Sequence, residues 1–202
     1  VNPRDIHAVL FDMDGTLVDS DAAVERAWTT WSAEYGVDAQ RVLAVAHGSP
    51  AESVVELVLP GLEPTVRAAA AARQHELQYD DLSDVVPTPG AHELLDLLAK
   101  RGLPWAVVTS ADQRLADARL GAAGIEPKVL VTIEDIAQGK PHPEGYLRGA
   151  ELLGVPATAC LVVEDAEVGL QAGKAAGAYT AALKGLDGDL KLTDLHQLAA
   201  LL

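Results

Sequence analysis

The chain holds one cysteine, Cys160, among 202 residues, which excludes an internal disulfide. Aromatic residues make up 4% of it, so its core has to be aliphatic, with alanine allowing close helix contacts. Cations are scarce: 15 Lys and Arg stand against 30 Asp and Glu, a formal net charge of −15. That balance argues against nucleic acid as a partner, because phosphate neutralisation needs clustered Lys and Arg, and it disfavours anionic membranes. No apolar stretch is long enough to cross a bilayer and no signal-peptide pattern is present, so a cytoplasmic location is expected. There is no obvious dimer helix, and a monomer is expected. Between Asp19 and Pro87 there is no lysine at all. What the chain does have is apolar mass: 49% hydrophobic residues suffice for a buried core.

That mass is arranged in short runs separated by longer helical patterns. Ala8 to Phe11, Trp105 to Val108, Val129 to Val131, Leu161 to Val163 and Tyr179 to Ala182 read as strands. They lack polar alternation, as strands covered on both faces do. Segments such as His92 to Lys100 and Tyr146 to Leu153 read as helices, and Thr88-Pro89 reads as an N-cap followed by proline at the first helical position. Strands alternating with helices predict an α/β fold, a doubly wound parallel sheet. One stretch departs from this. After Asp19 the pattern stays helical to about Asp81, and Pro87-Thr88-Pro89-Gly90 closes it. Residues 19–87 are therefore expected to form an inserted all-helical cap on a core of residues 1–18 and 88–202.

Open parallel sheets bind ligands at the carboxyl ends of their strands. The first run is followed by Asp12-Met13-Asp14-Gly15-Thr16, the second by Thr109-Ser110, the third by a loop to Gly139-Lys140-Pro141, and the fourth by Glu164-Asp165. Clustered carboxylates repel one another and need a proton or a cation to hold them together. Magnesium suits such a set, since it takes oxygen ligands from one or two carboxylates plus a substrate phosphate. Lys140 would neutralise remaining phosphate charge and Ser110 would donate a hydrogen bond. These are the parts that phosphoryl transfer uses. The pattern is not a P-loop, whose glycine spacing is missing around Gly139-Lys140. Gly169, Gly173 and Gly177 are expected to permit close helix packing rather than to bind a dinucleotide.

At these residues the chain resembles the haloacid dehalogenase superfamily of phosphotransferases. The ordered set is Phe11 to Ser20, Val107-Val108-Thr109-Ser110, Gly139 to Glu144, and Val163-Glu164-Asp165 with Gly169. The resemblance implies a doubly wound, Rossmann-like core with a helical cap after the first motif. It implies Asp12 as the nucleophile that becomes an aspartyl phosphate, and Asp14 as the acid and base. Magnesium would lie on the Asp12 carboxylate, the Asp14 backbone carbonyl and Asp165, with Glu164 acting behind them or through water. Ser110, Ala111 and Lys140 would hold the phosphate.

The cap resembles that of small-sugar and polyol phosphatases, such as glycerol-3-phosphate and 2-deoxyglucose-6-phosphate phosphatases, at Glu25 to Trp28, Glu34 to Asp38 and His47-Gly48. His47, Gly48 and Trp28 are the expected cap contacts to a small phosphate ester, and Trp31 is expected to pack. A β-phosphoglucomutase is the nearest alternative. Its cap arginine and histidine fall here at Ala51 and Val24, which favours hydrolysis. A phosphonate hydrolase would want a cap lysine, and the cap has none. An alternative of another class is a non-catalytic magnesium-binding signalling protein; receivers, however, lack the helical insert and carry the phosphorylated Asp on a later strand.

Overall fold

A computed structural model of the chain describes residues 2–46, 49–79 and 81–202. Six strands form one parallel sheet. In chain order they are β1 (Ala8–Phe11), β4 (Trp105–Val108), β5 (Leu130–Val131), β6 (Cys160–Glu164), β7 (Tyr179–Ala182) and β8 (Leu190–Lys191). Their spatial order is β5-β4-β1-β6-β7-β8. The chain winds outward in one direction through β4 and β5 and in the other through β6, β7 and β8. The switch point falls at β1, so the loop after β1 opens into the crevice that such a reversal creates.

The sheet shows why its strands are apolar throughout. Val9, Phe11, Val107, Leu161 and Val163 belong to one core, and Ala8, Leu10, Ala106, Val108 and Val162 to a second on the opposite face. Alternate residues thus feed two cores, and neither face is left for water. The first face is covered by helices α5 (Ala91–Arg101), α6 (Gln113–Ala122) and α9 (Leu195–Leu201), through Leu94, Leu98, Leu115, Leu120, Leu195 and Leu198. The second is covered by α7 (Glu144–Leu153) and α8 (Glu167–Ala175), through Tyr146, Ala150 and Ala172.

Among the described residues the insert is four helices: α1 (Asp21–Tyr35), α2 (Ala39–Ala46), α3 (Ala51–Val58) and α4 (Pro64–Leu77). They enclose their own apolar cluster around Trp28, Trp31, Val42, Val54, Val55 and Ala70. Trp31 is fully buried and donates from Nε1 to the Ala70 carbonyl at 2.8 Å, so it packs rather than faces a ligand. The chain leaves for these helices and returns from them through a two-stranded antiparallel ribbon, β2 (Val18–Asp19) against β3 (Val86–Pro87), with Val18 opposite Pro87 and Asp19 opposite Val86.

Several expectations change in detail. β6 is longer than its apolar run and ends on Glu164, which pairs with Ala182. The third run contributes only Leu130–Val131 as strand, although Val107 still donates to the Val129 carbonyl. The short β2, β3 and β8 carried no sequence pattern long enough to read. Thr88 is not an N-cap: α5 starts at Ala91 behind Gly90, and the Thr88 hydroxyl instead donates to the Thr16 carbonyl at 2.6 Å. Gly177 does not serve helix packing. It follows the end of α8 with φ +79°, the left-handed conformation that closes a helix.

Candidate active site

Asp12 continues the β1 ladder, its amide donating to the Val163 carbonyl at 3.0 Å, and its side chain emerges at the carboxyl end of the sheet. Lys140 Nζ donates to Asp12 Oδ1 and, at 2.6 Å, to Glu164 Oε1. Glu164 is 1% exposed and fully engaged. The Tyr146 hydroxyl donates to its Oε1 at 2.6 Å, and the amides of Asp165 and Ala166 donate to its Oε2, both at 3.2 Å. Asp165 Oδ2 accepts from Lys184 Nζ at 3.0 Å, and Lys184 also reaches Asp21 at 2.9 Å at the start of α1.

Three carboxylates therefore converge. Oxygens of Asp12, Glu164 and Asp165 lie within 4.8 Å of one another. Their electrostatics follow from burial. Desolvation, with repulsion from Glu164, raises the Asp12 carboxyl well above its ordinary value, and Lys140 pulls against that rise. Burial likewise raises Asp165, opposed by Lys184 and reinforced by Glu164. Burial alone would lower Lys140, but the charges of Asp12 and Glu164 outweigh it and hold the ammonium protonated. The site has the character of a cation receptor: hard oxygens, uncomfortable as bare anions, beside a fixed positive charge. Gly15 makes room for it. With φ +79° it takes a turn that side chains rarely adopt, and a Cβ there would lie 2.0 Å from Asp165 Oδ2.

Asp14 points elsewhere. Its Oδ1 accepts from the Ser20 hydroxyl at 2.6 Å and its Oδ2 pairs with Arg119 Nη1 at 2.8 Å. Ser20 precedes α1 without a side-chain cap bond, because its hydroxyl is spent on Asp14. Ser110 lines the same cavity, and so does Ala111. The Ala111 amide is already donated to Thr109 Oγ1 at 3.0 Å.

The cavity between sheet and cap measures about 690 Å³. Its floor is Asp12, Asp14, Ser110, Lys140 and Asp165; its roof includes Val24, Trp28, Ala51, Gln74 and Gln78. Every expected core residue thus lies on one space, and Trp28 lies on it while also packing edge-on against Trp31. His47 and Gly48 lie outside the described residues. Sequence reasoning missed Arg119, Lys184, and Tyr146 as a partner of Glu164. Tyr146 stood next to a motif, whereas Lys184 had no recognisable pattern. Arg119 had a signal: it shares a helical stripe with Leu115, Ala116 and Leu120, all buried.

A doubly wound α/β core, a helical lid, and carboxylates with a lysine at the switch point define a lidded hydrolase of the phosphoryl-transfer kind. The chain belongs to the haloacid dehalogenase-like hydrolases, whose family model matches residues 6–177. Among curated proteins it is 43% identical over 175 residues to hexitol phosphatase A of Escherichia coli, covering 86% of this chain and 81% of that one. It is 38% identical over 190 residues to 2-deoxyglucose-6-phosphate phosphatase 1 of Saccharomyces cerevisiae, covering 85% and 77%. A hydrolase from Pseudomonas syringae superposes with a TM-score of 0.80 at 26% identity over 90% of this chain and 87% of that one. A β-phosphoglucomutase from Clostridium difficile shares the fold, with a TM-score of 0.85 at 20% identity over 96% and 93%.

Proposed function

We propose that the protein hydrolyses small soluble phosphate monoesters of sugars or polyols through an aspartyl phosphate on Asp12. The observation that carries this is the joint position of Asp12 and Lys140 at the floor of a cavity roofed by the cap. A nucleophile at the switch point under a lid suits a small substrate, because a macromolecule would collide with the helices above it. The similarity to hexitol and 2-deoxyglucose-6-phosphate phosphatases supports the same substrate class. Residues 1–18 and 88–202 would be the catalytic core, and 19–87 the cap that selects the leaving group.

The residues then divide the work. Asp12 attacks phosphorus in line, and Asp14 gives a proton to the departing oxygen. Asp14 next takes a proton from the water that attacks the aspartyl phosphate, which frees phosphate and restores Asp12. Lys140 and Ser110 bind phosphoryl oxygens, and Lys140 is kept charged and oriented by Glu164, itself fixed by Tyr146. The acid cluster fits a magnesium ion, which the Asp12 and Asp165 carboxylates and the Asp14 backbone carbonyl would hold, with Glu164 acting behind them. When bound, the ion supplies positive charge beside the phosphoryl oxygens. Val24 and Ala51, where a phosphosugar mutase would carry histidine and arginine, both face the cavity as small apolar groups, which supports release of the phosphate to water.

The test is phosphate release from a panel of hexitol, hexose and glycerol phosphates, with magnesium and with chelator, on the parent and on Asp12→Asn. Turnover that needs magnesium and vanishes in the variant is expected. Activity indifferent to chelator, or near-normal turnover by Asp12→Asn, would overturn the reading.

A further inference from the structure

Arg119 belongs to none of the motifs, yet it is the most deeply buried cation of those facing the cavity. Its side chain is 2% exposed. Nη1 pairs with Asp14 Oδ2 at 2.8 Å, and Nη2 donates to Gln78 Oε1, also at 2.8 Å. Gln78 ends α4 of the cap, and its Nε2 donates to Gln74 Oε1 at 2.6 Å, one turn back. One guanidinium on a core helix thus holds the carboxylate of Asp14 with one nitrogen and the cap with another.

Packing alone does not account for this choice. The stripe of α6 that carries Arg119 is otherwise Leu115, Ala116 and Leu120, where an apolar side chain of similar volume would serve. Burying a guanidinium is unfavourable before any partner is counted. Its rigid fork does what an aliphatic group cannot: it fixes two acceptors in a set mutual orientation. Asp14 needs such fixing, since its side chain is 29% exposed at the cavity and its other hold is the Ser20 hydroxyl. Each carboxylate oxygen engaged in this way keeps a second lone pair, so the group can still carry a proton.

We propose that Arg119 is the positioning residue for Asp14, setting the acid against the leaving oxygen when the cap, through Gln78, is seated on the core. This rests on the acid and base role given to Asp14 above. The proton balance is unchanged by it: Asp14 gives one proton as the ester P–O bond breaks and recovers one from water as the new bond forms, while Arg119 stays protonated throughout.

The leaving group separates this role from a structural one. An alkoxide leaves only with a proton, whereas p-nitrophenolate leaves without help. The readout is kcat/KM for a sugar-alcohol phosphate divided by kcat/KM for p-nitrophenyl phosphate. Arg119→Met is expected to lower that ratio ~100-fold, the penalty of a misplaced catalytic group. Arg119→Lys should recover part of it, and Gln78→Leu should lower it by less. In an Asp14→Asn background Arg119→Met should produce no further fall. A folded Arg119→Met enzyme that loses both substrates equally would overturn the proposal. Should that variant fail to fold, Arg119→Lys and Gln78→Leu decide it by the same ratio, and an unchanged ratio in both overturns it. If Asp14→Asn itself leaves the ratio unchanged, the acid role of Asp14 is wrong and the proposal falls with it. A normal response of Asp14→Asn beside an unchanged ratio in the Arg119 variants isolates the failure to Arg119.

Discussion

Replacing Gly169 by alanine tests whether Glu164 is as tightly held as its partners imply. Gly169 lies in the first turn of α8, directly over the Glu164 carboxylate. An added Cβ would lie 1.7 Å from Glu164 Oε1, 2.0 Å from its carboxyl carbon and 2.5 Å from Oε2. A carboxylate at the end of an exposed glutamate would swing aside at little cost. This one is buried and accepts from Lys140, Tyr146 and two backbone amides, so moving it breaks charged hydrogen bonds worth about 1.5–3 kcal/mol each. Alanine gains about 1 kcal/mol of helix propensity over glycine. If two of the four bonds are lost, the net cost after that gain is ~2–5 kcal/mol, which overlaps the range found when a buried ion pair is broken. At 2–4 °C per kcal/mol for a chain of this size, Tm should fall by about 10 °C. Turnover should fall as well, since Lys140 loses the anchor that keeps it against Asp12. Gly121→Ala is the control: it lies in α6 with nothing within 4 Å of the added methyl, and should be neutral or slightly stabilising. Calorimetry with a phosphate-release assay gives both readings. A Gly169→Ala enzyme that melts and turns over like the parent would show that Glu164 is free to move, and would refute the account of Lys140.

Two other outcomes are expected. Asp12 and Asp165 have carboxyls raised above 3.8 in the folded chain, so between that value and the raised ones the folded state holds more protons than the unfolded chain. Metal-free stability should fall as pH rises through that window, and magnesium, proposed to bind the ionised carboxylates, should raise Tm more above the window than below it; thermal melts across pH with and without magnesium check both signs, and an equal magnesium effect at all pH values would refute them. Tyr146→Phe removes one donor from Glu164 and should cost about 1–3 kcal/mol by denaturant unfolding, with Lys140 left to hold the carboxylate; an unchanged midpoint would mean that the hydroxyl bond contributes nothing.

The convergence of the candidate residues could be read from the sequence because most of them closely follow an apolar run. Asp12 and Asp165 occupy the first positions beyond buried strands and Ser110 the second, and a parallel sheet brings such positions to one edge. The cap was legible as a long helical interval with no strand. What the sequence hid was long-range. Thr88 before proline reads locally as an N-cap, yet its hydroxyl is taken by the Thr16 carbonyl, 72 residues away. Lys184 sits after the fifth apolar run with no pattern of its own, and only the fold shows that it lies between Asp165 and Asp21. Arg119 was the recoverable miss, because a charged residue on an apolar helical stripe implies a buried partner, though the stripe cannot say that the partner is Asp14.

Phosphate is proposed to pass through Asp12 on its way to water. The stereochemical course at phosphorus decides this, using a sugar-alcohol phosphorothioate made chiral with two oxygen isotopes and hydrolysed in water that carries the third. Two successive in-line displacements, first by Asp12 and then by water, predict net retention of configuration. Net inversion would mean that water attacks the ester in a single step, and would contradict the aspartyl phosphate.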